Sequence, residues 1–359
     1  MYLLYPLFAA LPAMVCLLWT VLLLCEAKRT DAARRVLSVF SFTVTLLYAC
    51  HYVYFMQAEP EFGLTDVLYT FCTLSVYPLF GIYLRTMTGR TPRPKVWLLS
   101  LLPAFLVGTL ALVCYFTGRS PGSVLLLTKI LIPVLVVFVC LDGAFRLRRF
   151  HAAVGNYYAD TDPHNLHLIS RLLYLLVGTS LATSAANLIG RDIFVGSLWV
   201  ALPSLLFSTL LFSLLYVCYR QELPLLDVRE EADPVAPSAP VVEEESTLHQ
   251  TLFEKVEQAM RKEEIYLVKG IKITDVSEAV GSNRTYVSQC INRMAGKSFS
   301  DYINQWRISH AQELMRSRRN LSQAEIASLS GFADRVSFYR SFKKQTGESP
   351  TEWARENSL

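Results

Sequence analysis

Charge is scarce in the N-terminal part of this chain. Charged residues make up 18% of its 359 residues, whereas about a quarter is usual for a soluble domain. Long stretches between Met1 and Arg220 carry no charge at all, while charges are dense from Gln221 onward. This asymmetry excludes a wholly soluble enzyme and a disordered chain, and it divides the sequence into an apolar part and a polar part.

The eight cysteines lack the spacing of a metal site or a disulfide framework. No CxxC pair and no Cys/His cluster is present, although such patterns are typical of zinc sites. Seven cysteines lie in or at the ends of apolar runs, and only Cys290 lies in the polar part. We therefore interpret them as small apolar side chains packed between helices, and we expect no metal.

Catalytic motifs are also missing. The sequence contains no GxxxxGK[ST], GxSxG or HExxH pattern and no nucleotide-binding motif of a kinase. Three histidines (His151, His164 and His167) follow the fifth apolar run without acids at a useful spacing, so we interpret them as solvated loop residues. The sequence thus predicts a protein that is not an enzyme and needs no cofactor.

Long apolar runs are the main feature of the N-terminal part. A helix that crosses a bilayer needs about 20 mostly apolar residues, and only one formal charge, Lys129, lies inside the runs that qualify. The first run is not a cleavable signal peptide, because no basic residue precedes it and it is long for that purpose. We predict a seven-helix transmembrane bundle in residues 1–220, with spans at 2–25, 36–56, 67–84, 96–117, 123–141, 172–190 and 197–218.

The short connections between these spans are unequal in positive charge. Those after spans one, three and five, with Arg171 at the foot of span six, hold 12 Lys and Arg residues, whereas the other side holds only Arg119 and Arg191. Basic residues accumulate on the cytoplasmic side of membrane proteins. The sequence therefore predicts a multi-pass protein of the bacterial inner (cytoplasmic) membrane, with its N-terminus outside and its C-terminal part in the cytoplasm.

Three polar residues fall in the outer third of their predicted spans: His51, Lys129 and Asn187. An ionisable residue inside a membrane is by default a candidate functional site, so these side chains are candidates for ligand sensing. Lys129 lies about two helical turns from the outer end of its span, so its ammonium group could instead reach the interface by snorkelling. The outer connections are too short for a sensor domain, so any signal would come from a small or lipidic ligand inside the bundle, from the lipid or from a membrane partner.

Residues 221–248 differ from the sequence on either side. They contain eight acids, a single base and the proline-rich stretch 233–240. Such a composition is typical of an extended, disordered linker.

The polar part, residues 249–359, contains an internal repeat. Val276, Ser277 and Gly281 recur 50 residues later as Ile326, Ala327 and Gly331, and past one inserted residue Val287 and Ile291 recur as Phe338 and Phe342. Each copy has a short helix with a small residue where a second helix crosses, a glycine suited to a turn with positive φ, and an apolar i,i+4 pair that anchors the second helix. This is the pattern of a helix-turn-helix unit.

Two capping signatures, Ser298 with Asp301 and Ser322 with Glu325, open further helices. The helix from Ser298 to about Met315 would join the two helix-turn-helix units. All the predicted elements are helical, so the expected fold class is all-α: a transmembrane bundle followed by a soluble helical domain.

The same region resembles the DNA-binding domain of AraC/XylS-type transcription regulators over about 105 residues, from Leu252 to Arg355. The positions that carry the resemblance are Tyr286, Val287, Ser288, Gly296, Phe299, Tyr302, Arg307, Ala311, Gly331, Phe332, Phe338, Phe342, Lys343, Gly347, Ser349, Pro350 and Trp353. Ser277 stands where the family usually has alanine, and Trp353 where it usually has tyrosine. The resemblance implies a seven-helix domain whose two recognition helices enter adjacent turns of the major groove.

Helical phase indicates which side chains face the DNA, since recognition helices contact bases mostly with N-terminal residues. Arg suits guanine and Gln suits adenine, while the lysines at the far end of the second helix suit phosphates. In the first copy the candidates are Asn283, Arg284, Thr285, Ser288, Gln289 and Asn292. In the second they are Arg335, Val336, Ser337, Arg340, Lys343 and Lys344.

Together these features predict a membrane-anchored one-component transcription regulator, controlled by a signal sensed in the bundle. Its partners would be double-stranded DNA and the lipid bilayer, and RNA polymerase, a second copy of the chain and a small or lipidic ligand are further candidates. Two alternatives remain: a transporter or receptor with a secondary gene-regulatory domain, and a bundle that serves only as an anchor. The scarcity of intramembrane charge and the lack of a repeat among the spans weigh against transport.

The charge asymmetry makes the topology testable. An alkaline phosphatase reporter, which is active only outside the cytoplasm, should be active when fused after Arg119 and silent when fused after Arg149. Activity after Arg149 would contradict both the orientation and the DNA-binding interpretation.

Overall fold

The computed structural model describes residues 4–26, 32–56, 62–88, 92–160, 201–220, 243–318 and 320–357, with 170–171, 174–175, 177–178 and 180–181. This part of the chain is helical apart from an isolated antiparallel bridge between Tyr158 and Lys272. The helices are α1 (Leu4–Glu26), α2 (Ala32–Met56), α3 (Leu64–Thr88), α4 (Pro94–Thr117), α5 (Gly122–Tyr157), α6 (Ala201–Arg220), α7 (Glu243–Glu263), α8 (Ile273–Ala279), α9 (Arg284–Ala295), α10 (Phe299–Ser317), α11 (Gln323–Leu329), α12 (Arg335–Thr346) and α13 (Pro350–Glu356).

Six of these helices, α1 to α6, are long and apolar enough to cross a membrane. They coincide with six of the seven spans that the sequence predicts. The remaining predicted span, 172–190, lies mostly outside the described residues, as do residues 197–200 at the start of the last span. The all-helical class is therefore confirmed for the described residues, and the seventh span stays a prediction.

The fifth apolar helix corrects one expectation. The sequence places a span at 123–141 and a loop after it, but α5 continues to Tyr157 and has 36 residues, which corresponds to about 54 Å at 1.5 Å per residue. The extension is amphipathic: Leu147, Phe150 and Val154 follow a helical spacing and are buried. His151, expected in a loop, accordingly lies on a helix.

The described residues form two compact units. The first contains α1 to α4, α5 up to Arg148, and α6. Its interior is apolar and aromatic; Trp19 of α1, for example, packs edge-on against Phe212 of α6, with 5.4 Å between ring centroids. Two of its small hydroxyl groups share one acceptor, since Thr20 donates to Cys16 O at 2.8 Å and Ser41 donates to the same carbonyl at 2.9 Å.

The second unit contains Arg149–Asp160 and the described residues from Glu243 onward. The inclusion of Arg149–Asp160 is a finding that the sequence did not predict, because the expected domain began at residue 249. α7 begins at Glu243, so the last six residues of the predicted linker are helical; glutamates favour the first turn of a helix because its N-terminus carries a partial positive charge. Residues 221–242 of the linker lie outside the described residues.

Both predicted helix-turn-helix units are present within this second unit. The first pairs α8 with α9 and the second pairs α11 with α12, and α10 joins them. The two turn glycines have positive φ, 65° at Gly281 and 81° at Gly331. The small residues Ser277 and Ala327 are buried. The two anchoring pairs, Val287 with Ile291 and Phe338 with Phe342, are fully buried.

The apolar core of the second helix-turn-helix unit is aromatic. The rings of Phe332, Phe338, Phe342 and Trp353 form a chain of edge-to-face contacts, with centroids 5.3, 5.6 and 5.9 Å apart. Ile308 and Ala311 of α10 belong to the same core. The connecting helix is thereby fixed to the second helix-turn-helix unit.

The two turn glycines differ in their surroundings, and this difference gives a matched pair of variants. A Cβ at Gly331 would lie 2.8 Å from the Leu267 backbone, whereas a Cβ at Gly281 would meet nothing within 4 Å. Gly281→Ala should cost about 1–2 kcal/mol of positive-φ strain, and Gly331→Ala should cost about 1–3 kcal/mol more because of overlap. Denaturant unfolding of the detergent-solubilised chain is followed by hydrogen exchange, in α8 and α9 for Gly281→Ala and in α11 and α12 for Gly331→Ala. Equal costs would contradict the close approach at Gly331.

Candidate nucleic-acid interface

The first recognition helix, α9, is fixed at its start by Asn283. The Asn283 side-chain oxygen accepts a hydrogen bond from the Tyr286 amide at 2.9 Å, which satisfies one of the unpaired N–H groups of the first turn. One face of the helix is buried through Val287, Cys290 and Ile291. The opposite face leaves Thr285 and Asn292 exposed and Arg284, Ser288 and Gln289 half-buried.

The second recognition helix, α12, begins with a capping box at Asp334. One carboxylate oxygen of Asp334 accepts hydrogen bonds from the amides of Val336 and Ser337, each at 2.8 Å. The Ser337 hydroxyl donates to Asp334 O at 2.9 Å, and the Ser337 side chain is buried. Ser337, one of the predicted DNA contacts, therefore serves the helix cap, and its burial leaves it poorly placed to reach a base.

Three of the remaining candidates on α12 form an exposed stripe, and Arg335 is exposed beside it at the first turn. Val336, Arg340 and Lys343 are exposed and follow the i, i+4, i+7 spacing of one helical face. Tyr339 is 40% exposed and lies on the same stripe, although the sequence analysis did not include it. The 51-residue offset of the repeat could have identified it, because that offset matches Tyr339 with Ser288 of the first copy.

Each position of the α12 stripe has an equivalent position on α9, and these positions form the corresponding stripe of the first copy. The repeat pairs Thr285 with Val336, Ser288 with Tyr339, Gln289 with Arg340, and Asn292 with Lys343. The second stripe is therefore larger and more basic than the first. Because an arginine or a lysine has only donor groups, α12 suits guanine edges and phosphates, while the amide of Gln289 can both donate and accept.

Lysines at the edges of these helices have partners inside the protein. Lys344 forms an ion pair with Asp301 of α10, and Lys297 donates to Gln305 at 2.7 Å. Both contacts are solvent-exposed, and such pairs contribute little stability, so a phosphate could replace the carboxylate at Lys344. Lys343 is the neighbouring exposed lysine without that ion pair.

The structure describes two of the three candidate sensing residues. Lys129 is exposed on α5, which is the position that snorkelling requires. His51 of α2 is half-buried among the rings of Tyr48, Phe55 and Tyr69, with centroids 5.8, 5.8 and 4.9 Å away. Asn187 lies outside the described residues.

No group of three or more His, Cys, Asp or Glu side chains capable of holding a metal occurs in the described part of the chain. All eight cysteines, which the structure describes, are free thiols. Six of them are buried, as expected for small packed side chains.

The cap of α12 should be sensitive both to mutation and to acid. The pKa of the Asp334 carboxyl lies below its ordinary value, chiefly because the Ser337 amide donates to it, with the Val336 amide and Arg340 acting in the same direction. A lowered pKa means that the stabilisation is present above the ordinary pKa and is lost as the pH falls through the lower, folded value.

Asp334→Ala should cost about 1 kcal/mol and speed hydrogen exchange in the first turns of α12 about fivefold, whereas Asp334→Asn should preserve most of the protection because an asparagine also caps helices. The full chain in detergent is suitable for this measurement, with α9 as the internal control. Equal exchange in all three proteins would show that the cap does not stabilise α12.

Comparison with known proteins agrees with this geometry. A protein-family model described as a helix-turn-helix domain matches residues 276–356. The chain is 36% identical over 75 residues to the uncharacterized transcriptional regulatory protein YesN of Bacillus subtilis (strain 168), covering 21% of this chain and 20% of that protein. It is 29% identical over 140 residues to the xylose operon regulatory protein of Escherichia coli (strain K12), covering 39% of this chain and 34% of that protein.

Among solved structures, a protein of unknown function from Listeria innocua is 28% identical, with a TM-score of 0.26, and the match covers 29% of this chain and 95% of that one. The chain spans only a fifth to about a third of the length of the two curated relatives. The family model matches residues 276–356, which form a helix-turn-helix domain of the kind found in transcription regulators.

Proposed function

We propose that this chain is a membrane-anchored one-component transcription regulator, with a cytoplasmic domain that reads specific double-stranded DNA through its two tandem helix-turn-helix units. The observation that carries the proposal is the presence, in one chain, of six long apolar helices and a C-terminal helix-turn-helix domain. The names of the relatives support regulation of transcription as the role of that domain.

The surface of the first unit supports a membrane location. Large apolar side chains are strongly exposed on its helices, for example Leu99 at 71%, Phe116 at 76% and Leu202 at 71%. Soluble monomers rarely expose contiguous apolar patches of more than a few hundred Å², whereas lipid tails solvate such side chains well. The bundle would therefore lie in the bacterial inner membrane.

The orientation rests on charge and on one structural feature. The predicted cytoplasmic connections hold the basic residues, and positive charge favours that side. The extension of α5 beyond Arg148 belongs to the same compact unit as the helix-turn-helix domain. A segment that packs with a DNA-binding domain has to be cytoplasmic, so this feature supports the orientation with the N-terminus outside.

The arrangement of the reading helices implies an asymmetric site. The two helix-turn-helix units follow one another in a single chain, so they are not related by a two-fold axis. One chain should therefore read two patches about one helical turn, roughly 10 base pairs, apart. A palindrome would be needed only if two chains bound together.

The role of the bundle is the less constrained part of the proposal. The aromatic surroundings of His51 favour that residue over Lys129 as a contact for a small or lipidic ligand, because an exposed lysine on a spanning helix is explained by snorkelling. An anchor without a sensing role is the alternative. His51→Ala should alter expression from a target promoter without changing membrane abundance if the bundle senses, and should change neither if it only anchors.

DNA selection with the full chain tests the main proposal. The protein in lipid nanodiscs is incubated with random 40-base-pair duplexes, and the retained DNA is sequenced after several rounds. We expect an asymmetric motif with two conserved patches. Retention without sequence enrichment would contradict specific DNA reading, and a variant with Arg284, Gln289, Arg335 and Arg340 all changed to alanine is the negative control.

Two substitutions on α12 separate base reading from phosphate binding. Arg340→Ala should cost about 1–3 kcal/mol at the selected site and relax the preference at one base position. Lys343→Ala should weaken binding to all sequences alike and lower the salt slope by about one unit. Both variants are titrated with selected and scrambled duplexes over a salt series; an equal loss on both duplexes for Arg340→Ala would assign that side chain to phosphate.

A further inference from the structure

The residues that follow the last turn of α5 pack into the helix-turn-helix domain. The Ala159 amide donates to Ile271 O at 3.2 Å, and Ala159 O accepts a hydrogen bond from the Ser300 hydroxyl of α10 at 2.7 Å. Tyr158 forms the isolated bridge with Lys272, whose ammonium lies 5.8 Å from the centre of the Tyr158 ring. These residues are therefore docked through backbone and side-chain bonds.

Asp160 completes this contact with an ion pair. One carboxylate oxygen accepts a hydrogen bond from Arg307 Nη1 at 2.8 Å, and the other accepts one from the Gly270 amide at 2.9 Å. The Arg307 side chain is fully buried, and that of Asp160 is 8% exposed. Removing one partner from such a pair is strongly destabilising, because the other charge is left buried without a counter-charge.

Arg307 also binds the backbone of a segment that we name the central loop (Ile265–Lys272). Arg307 Nε donates to Tyr266 O at 2.7 Å and Nη2 donates to Val268 O at 2.9 Å. The guanidinium lies over the Phe332 ring at 5.4 Å. Burial lowers the pKa of Arg307, and Asp160 opposes that shift, so the carboxylate offsets part of the cost of burying the guanidinium.

The central loop touches both helix-turn-helix units. Its last residue, Lys272, is the N-cap of α8 in the first unit. Its middle part lies against the second helix-turn-helix unit. The Leu267 backbone would be 2.8 Å from a Cβ at Gly331, and Lys269 donates to Ser328 at 2.9 Å. A displacement of the central loop would therefore change how the two helix-turn-helix units are placed relative to each other.

We infer that Tyr158–Asp160 is an intramolecular docking segment that holds the two helix-turn-helix units in one relative arrangement, through Asp160 on Arg307 and on the central loop. The segment is continuous with α5, so a movement of that membrane helix reaches the spacing between the two DNA-reading helices. This inference deepens the proposed function and rests on it for its effect on DNA. The docking itself does not depend on that function.

Hydrogen exchange of the full chain in nanodiscs, without DNA, tests the docking. In the wild type the Ala159 amide should be protected. Asp160→Ala should speed exchange of the central-loop amides by about tenfold or more, because the Gly270 amide loses its acceptor and Arg307 its counter-charge. The matched control is Glu254→Gln, which removes an exposed acid of α7 and should change neither region.

A series of duplexes that differ in the spacing between the two patches tests how the docking segment affects DNA binding. The wild type should lose about tenfold or more in affinity when one base pair is inserted between the two patches of its selected site, because a base-pair step rotates one patch away from the other. Asp160→Asn, which is nearly isosteric, removes the charge and turns one of the two accepting oxygens into a donor, so it should bind the selected site about three- to tenfold more weakly and tolerate the insertion better.

The outcomes separate the two proposals. An unprotected Ala159 amide in the wild type, or wild-type exchange and spacing preference in the Asp160 variants, would overturn the docking inference. Failure of the wild type to enrich any sequence would overturn the proposed function, while the exchange measurement would still decide the docking. If Asp160→Ala unfolds the whole domain, the Ala159 amide of the wild type and the Asp160→Asn variant decide the inference.

Discussion

The second compact unit depends on the hydrogen bonds and the ion pair that the buried guanidinium of Arg307 forms. A charge with no solvent contact has to be compensated by hydrogen bonds and an opposite charge, and Arg307 obtains two carbonyl acceptors from the central loop and a carboxylate from Asp160. This requirement brings together the connecting helix, the central loop and a segment from far away in the sequence. The same loop sets the close approach at Gly331, so the geometry of the second turn depends on it as well.

The internal repeat made the DNA-binding part predictable. The small residue, the turn glycine and the apolar pair of each copy depend on local geometry, and local geometry follows from residue type and spacing. Gly281 and Gly331 have the positive φ values, and the anchoring pairs are buried, as the pattern predicts. The faces of α9 and α12 followed from helical phase, and the same reasoning applied to the repeat offset would also have given Tyr339.

Two features could not be read from the sequence. Ser337 has a phase close to that of the residues predicted to face DNA, but its hydroxyl is used in the cap with Asp334, and a choice between a cap and a base contact depends on the rotamer. The role of Asp160 was hidden for a different reason. It is one of several polar residues after an apolar run, and its partner lies 147 positions away, so no local pattern connects the two.

Two of the three covalent connections between the bundle and the DNA-binding domain differ in what they would transmit. Residues 221–242 have the composition of a flexible linker, and a flexible chain holds domains near each other without passing on a small displacement. α5 is different, because it is helical up to Tyr157 and the residues after it are held by Arg307 and the central loop. A continuous helix passes a shift or rotation at one end to its other end more directly than an extended chain does. On the proposed function, residues 221–242 would keep the domain near the membrane, and α5 would be the stiffer connection through which the bundle acts on the two reading helices.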